Sequence, residues 1–181
     1  MRNILVPLLL LSLLFGCASP ARIDQMAANI PVAAVDAKLK KSIALLDVTG
    51  GRETNAMWTS QVASDDFRRA LEISLERAGL LSKISSEGRF QLIADLSNLQ
   101  QPIAGIDMTV TASVQYSLIE RKSKKEVYRK VIQQPYTAKF SDAFLGTERL
   151  RLANEGAINA NISAFIRDIF SLELSDDKHT N

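Results

Sequence analysis

The sequence predicts an α+β two-layer sandwich, a mostly antiparallel sheet of about four strands with two helices on one face, in the order β-α-β-β-β-α. Three observations lead there. A short apolar run at residues 42–48 precedes a clean amphipathic helix, a series of period-2 segments fills residues 90–140, and the chain closes on a helical stretch too long for a strand.

Residues 42–48 contain Ile43, Leu45 and Val48 and stop at Thr49, Gly50 and Gly51, which reads as a buried strand and its turn. No Gly-Lys-Ser or Gly-Lys-Thr follows the glycine pair, so it reads as a turn and not a phosphate cradle. Ser64 is placed as the N-cap of the first helix, with Asp65 and Asp66 suiting its positive end. Phe67, Ala70, Leu71, Ser74, Leu75 and Ala78 then form one apolar stripe, and Gly79 supplies the left-handed stop. Arg68, Arg69, Glu72, Glu76 and Arg77 make the opposite side a solvated face.

Phe90, Leu92, Ala94 and Leu96 alternate with polar or lesser residues as a strand does. After a break at Gln100, Gln101 and Pro102, the most regular strand places Ile106, Met108, Val110, Ala112, Val114, Tyr116 and Leu118 on one face. Asp107, Thr109, Thr111, Ser113, Gln115 and Ser117 take the other. Such alternation belongs to an antiparallel sheet covered on one side and open to water, or to a partner, on the other. A basic turn at residues 121–125 joins it to a second alternating stretch from Glu126, which makes a hairpin. That strand continues through Pro135, Tyr136 and Phe140, and the proline requires an edge or a bulge.

The last element is expected as a helix from near Thr147 to about Leu174. Ile158, Ile162, Phe165 and Ile169 form a core stripe; Ala153, Ala157, Ala160 and Ala164 form a small-residue stripe that would let another backbone approach. Its N-terminal half is polar for a packed helix, with Arg149, Arg151, Asn154 and Glu155. These side chains either bond to loop backbones or mark a functional surface. With Trp58, Tyr136 and Phe144, the residues Arg151, Asn154 and Glu155 make up the candidate binding surface. Trp58, the sole tryptophan, lies in the loop before the first helix, where it either plugs the edge of the core or anchors a partner.

Arg2 followed by the apolar run 4–15, which ends in Gly16 and Cys17, has the layout of a secretory signal. The run is too short for a permanent span, which needs roughly 17–25 apolar residues, and it contains Pro7. Leu14, Phe15, Gly16 and Cys17 resemble the lipobox of bacterial lipoproteins, in which the cysteine is acylated on sulfur, the chain is cut just before it and the new amine is acylated. The resemblance implies a signal peptide at residues 1–16 and lipidation at Cys17. The residue after Cys17 is Ala18 rather than an inner-membrane-retaining aspartate, which implies the outer membrane, facing the periplasm. Each acyl methylene buried in a bilayer contributes about 0.8 kcal/mol, so two or three chains anchor stably. Residues 17–41 hold Pro20, Pro31 and many alanines without a sustained period, and read as a flexible tether. Its length allows roughly 80 Å of reach when extended and about 25–30 Å as a coil. A competing pattern, Ile30, Val32 and Val35, would suit an added edge strand. Residues 42–174 form the folded domain and 175–181 a disordered tail that contains the sole histidine, His179.

A net charge of +2, reduced by one when Arg2 leaves with the signal, argues against nucleic acid as a partner. One cysteine excludes an intramolecular disulfide, and a single histidine in a polar tail disfavours histidine catalysis. No catalytic residue, metal site or cofactor is expected. Acid–base work would fall to carboxylates such as Asp107 or Glu155 without an identified partner.

The lipobox, the strand at 43–48, the Phe67-to-Gly79 helix pattern, the long hairpin and the C-terminal helix resemble the small envelope-assembly lipoproteins. These include the LPS-assembly lipoprotein, the ABC-transport auxiliary lipoproteins, penicillin-binding-protein activators and the N-terminal domain of TolB. Residues 48–55, 105–110 and 148–156 are similar to an uncharacterised proteobacterial lipoprotein family. The resemblance implies a non-catalytic accessory lipoprotein that binds and supports an envelope transport or assembly complex. The alternatives are a lipid-binding carrier, holding an acyl chain between helices and sheet, or a transferase-type enzyme.

Overall fold

Seven elements follow one another in the computed structural model, which describes residues 17–30, 37–57, 59–172 and 174. They are α1 (Ile23–Met26), β1 (Ile43–Thr49), α2 (Ser64–Arg77), β2 (Phe90–Gln100), β3 (Met108–Glu120), β4 (Glu126–Ala138) and α3 (Gly146–Phe170). Apart from the one-turn α1, this is the expected order. The sheet runs β1-β2-β3-β4. β2–β3 and β3–β4 are antiparallel, while β1–β2 is parallel because α2 carries the chain back between them.

The period-2 pattern decides which face is covered. Met108, Val110, Ala112, Val114, Tyr116 and Leu118 of β3 are all buried, as are Phe90, Leu92, Ala94 and Leu96 of β2. α2 packs on β1 and α3 packs on β3 and β4, with the two helices also touching. Ile158, Ile162, Phe165 and Ile169 supply the helix side of the core, as their spacing predicts. Tyr116 stacks flat on Phe165 at 4.1 Å between centroids, and Tyr128 meets the same ring edge-on at 5.9 Å. Tyr116 and Phe165, both fully buried, each contribute about 1.5–3 kcal/mol, while Tyr128 is half-buried. At this end of α3 the Tyr128 hydroxyl donates to Asp168, which also accepts from Lys130 at 2.8 Å. Burial first, then the carboxylate, hold the phenol well above its usual pKa.

One polar cluster crosses the core. The Tyr116 hydroxyl donates to Asn161 Oδ1 at 3.0 Å, and Asn161 Nδ2 donates to the carbonyls of Ala112 (3.0 Å) and Ile132 (2.7 Å). One amide thus ties α3 to both β3 and β4. Burial raises the Tyr116 phenol far above its usual pKa, so it stays a neutral donor.

The opposite sheet face carries no element among the described residues. Thr109 and Thr137 share a hydrogen bond across it at 2.8 Å, and farther along β3 Thr111 and Gln115 are half-buried while Ser113 and Ser117 are buried rather than open to water. Pro135 is tolerated because β4 is an edge strand, paired among the described residues only with β3. The hairpin tip is closed by Glu120, whose carboxylate accepts from Ser123 and Arg89; these bonds hold it below the usual carboxylate range.

Several expectations change. The segment expected as a tether is not free over residues 18–28. Ala18, Ala21, Met26, Ala27 and Ala28 are buried, and the Ala28 amide donates to Ser74 Oγ on α2 at 2.9 Å. Its alanines and single methionine, too sparse to set up a period, are small enough to lie against α2 and α3. The backbone that approaches α3 is this one: Asn159 Nδ2 donates to the carbonyls of Gln25 and Ala27. Ser64 is the first residue of α2 rather than its cap; Ala63 holds that place, and Ser64 Oγ accepts from the Gly51 amide at 3.0 Å. Gly50 sits at φ +83°, where a Cβ would come within 2.3 Å of the Leu96 carbonyl oxygen, so the glycine pair does serve the tight end of β1. Ile106 is not in β3, which starts two residues later, and α3 ends at Phe170 rather than Leu174. The signal at 1–16, Val32 and Val35 of the competing strand, Trp58 and the tail at 175–181 lie outside the described residues.

Candidate functional site

The polar half of α3 is engaged inward. Asn154 is fully buried, with Nδ2 donating to the Ser60 carbonyl at 3.0 Å and Oδ1 accepting from Gln101 Nε2 at 2.8 Å. Gln101 Nε2 donates to the same carbonyl at 2.9 Å, so one amide pair locks the loops at 50–63 and 101–107 onto the helix. Glu155 is 3% exposed. Its Oε1 accepts from the Arg22 amide (2.9 Å) and Nε (3.0 Å), and its Oε2 from Nη2 (2.9 Å). The side-chain hydrogen bond to Glu155 raises the Arg22 guanidinium pKa further, so the guanidinium stays charged at any working pH. Arg151 lies between Glu148, to which it donates, and Glu155, at 3.9 Å. Asn154 is thus bonded to loop groups, Glu155 to the N-terminal segment, and Arg151 to a neighbour on its own helix.

That arrangement limits the chemistry available. Both Glu155 oxygens accept from Arg22, so the carboxylate is held in an ion pair rather than standing free as a general base. Asp107 is exposed, and its Oδ1 accepts from the Phe140 amide at 2.9 Å. No cluster of three or more His, Cys, Asp or Glu side chains able to hold a metal occurs among the described residues.

Tyr136 and Glu155 line one groove, with Gln25, Leu152, Gly156 and Asn159, of about 440 Å³. Tyr136 lies over Gly156, where a Cβ would meet its ring at 2.3 Å; the glycine lets the edge strand sit down on the helix. Phe144 is elsewhere. It is 81% exposed, in edge-on contact with Phe140 at 5.6 Å.

Arg149, buried in the first turn of α3, organises this second region. Its Nη1 donates to the carbonyls of Ala143 (2.8 Å) and Phe144 (2.7 Å), its Nη2 reaches Gly105 (3.4 Å), and its guanidinium lies over the Phe140 ring at 5.1 Å. One side chain therefore fixes the loops at 101–107 and 139–145 against each other. They display Ile103, Ile106, Phe140, Phe144 and Leu145 to the outside. Sequence reasoning singled out Phe144 but missed its companions. Ile106 continues the β3 alternation and so reads as core; Ile103, an apolar residue between Pro102 and Gly105, was the available signal.

Cys17 is exposed and abuts the folded domain directly. The next residue, Ala18, is 6% exposed and donates its amide to the Ala56 carbonyl at 2.8 Å; Ala21 donates to Gln61. No helix among the described residues is long and apolar enough to cross a membrane.

No family profile matches the chain, and no curated protein matches it in sequence. Solved structures do. A protein of the DUF330 family from Xanthomonas campestris is 12% identical, with a TM-score of 0.56 over 80% of this chain and 94% of that one. A lipoprotein candidate from Caulobacter crescentus is 15% identical, with a TM-score of 0.51 over 77% of this chain and 94% of that one. At these identities the likeness establishes the shared fold.

Proposed function

We propose that the protein is a lipid-anchored, non-catalytic accessory lipoprotein of the outer membrane that faces the periplasm and binds an envelope transport or assembly complex. The observation that carries the reading is the exposed Cys17 held one residue ahead of buried Ala18, at the mouth of a lipobox-like sequence. Acylation there would place the whole folded chain at a membrane surface. The fold shared with the Caulobacter lipoprotein candidate is in keeping with this. The side of β4 left unpaired among the described residues, with the exposed Thr109 and Thr137 beside it, offers a partner both backbone and side-chain hydrogen bonds.

Support for a binding role over an enzymatic one comes from Asn154 and Glu155, whose polar atoms are bound up in holding loops and the N-terminal segment. The lipid-carrier alternative needs volume between helices and sheet; Tyr116, Phe165, Leu92, Leu118 and Ile162, all at 0% exposure, fill that layer. The test is cross-linking in intact cells with the acylated full chain, followed by affinity recovery against a Cys17→Ser control. Recovery of a defined set of envelope proteins with the acylated chain alone is expected. Nothing above the control would sink the reading.

A further inference from the structure

We propose that the loop end built by residues 101–107 and 139–145 is a membrane-docking surface, inserting Ile103, Ile106, Phe140, Phe144 and Leu145 into the bilayer that holds the Cys17 lipid. The inference rests on the lipid-anchor reading and adds to it an orientation and a second, protein-borne contact.

Topology sets the geometry. β1, β2 and β4 finish, and β3, α2 and α3 begin, at one end of the domain. The chain enters at that same end: the Ala18 amide is bonded to Ala56, in the loop between β1 and α2. That loop is tied through Gln61 to Gln101, at the base of the 101–107 loop, and Gly105 of that loop is tied through Arg149 to Phe144. An acylated Cys17 therefore has no length of free chain before the fold begins. The domain stands on the membrane rather than away from it, and the end that meets the lipid is this one.

The side chains at this end suit that neighbour. Ile103 is fully exposed, Phe144 is 81% and Ile106 77% exposed, and Met57, next to Ala56, is 83% exposed. Large apolar side chains gathered this way on two loops mark an interaction site. The loops are braced by buried Arg149, and the nearby Asp107 and Asp142 carboxylates accept the Phe140 and Lys139 amides. Aromatic and aliphatic side chains on a fixed loop end, beside covalent lipid, match the acyl–headgroup boundary of a bilayer. The β3–β4 turn at 121–125 lies at the other end, about 40 Å away along a 13-residue strand.

The test uses the acylated full mature chain in vesicles of phosphatidylethanolamine and phosphatidylglycerol, with a single introduced thiol, Phe144→Cys, Ile106→Cys or Lys122→Cys, carrying a nitroxide. Acylated Cys17 is a thioether and takes no label, so one nitroxide per chain reports an intact anchor; two report that the anchor reading has failed, independently of docking. With one label, we expect positions 144 and 106 to be several-fold more accessible to dissolved oxygen than to a water-soluble nickel chelate, and position 122 to show the reverse. Positions 144 and 106 as open to the nickel chelate as position 122 would overturn the docking surface while leaving the anchor in place.

Discussion

An Asn161→Leu protein is expected to be about 2–4 kcal/mol less stable than the parent, the typical result of orphaning a fully buried donor within a hydrogen-bonded network. Leucine matches the asparagine in size and suits the apolar surroundings, so the loss is of hydrogen bonds and not of packing. The Tyr116 hydroxyl, at 0% exposure, loses its acceptor, and the Ala112 and Ile132 carbonyls lose the link to α3. A urea titration reads this as a midpoint roughly 1–2 M lower with an unchanged slope. Adding Tyr116→Phe removes the orphaned hydroxyl while keeping the ring stacked on Phe165. The double variant is expected to recover about 1 kcal/mol relative to Asn161→Leu alone. An Asn161→Leu midpoint equal to that of the parent would show that the cluster does not hold the layers together.

Arg22→Ala is the second large effect, and it acts locally. Glu155, 3% exposed, would keep the Arg22 backbone amide and a 3.9 Å approach from Arg151 but lose both guanidinium bonds. Breaking a wholly buried pair costs about 3–5 kcal/mol, and since the Arg22 side chain is 43% exposed we expect about 1.5–3 kcal/mol. That cost is comparable to the whole free energy holding a short segment against a domain, so residues 18–28 should open before the sheet does. Hydrogen exchange at Ala18, Ala21 and Ala28 is expected to speed by an order of magnitude or more, with β2 and β3 unchanged. Uniform acceleration across the sheet, or none in the segment, would contradict the assignment of Arg22 as its clasp.

How much of this was legible in the sequence depends on whether a signal was periodic. The α2 stripe ended at Gly79, whose φ of +70° lets Leu80 and Leu81 fold back onto the Leu75 carbonyl; local chemistry stated that in advance. β3 announced itself through strict alternation, and the same alternation misled at Ile106, because a pattern of period 2 does not show where pairing stops. The N-terminal segment could not be read. Arg22 and Glu155 are 133 positions apart, and four residues of α1 set up no period, so only the folded contact shows that the segment is docked. Of the candidate surface, the sequence groups Phe144 with Trp58 and Tyr136, whereas the fold sets it apart from Tyr136, on a loop end beside Phe140. Asn154 and Glu155 look identical in sequence whether they face a partner or a buried loop. Arg149 was noted as polar and proves to be the brace of both apolar loops, a role that depends on three carbonyls and that no composition encodes.

The account turns on Cys17 as the membrane attachment of a domain that begins beside it. Mass spectrometry of the protein extracted from cell membranes tests this most directly. The account predicts a chain that begins at Cys17, with a diacylglyceryl thioether on its sulfur and an acylated amine. A chain that retains residues 1–16, or one that begins elsewhere and carries a free Cys17 thiol, would contradict it.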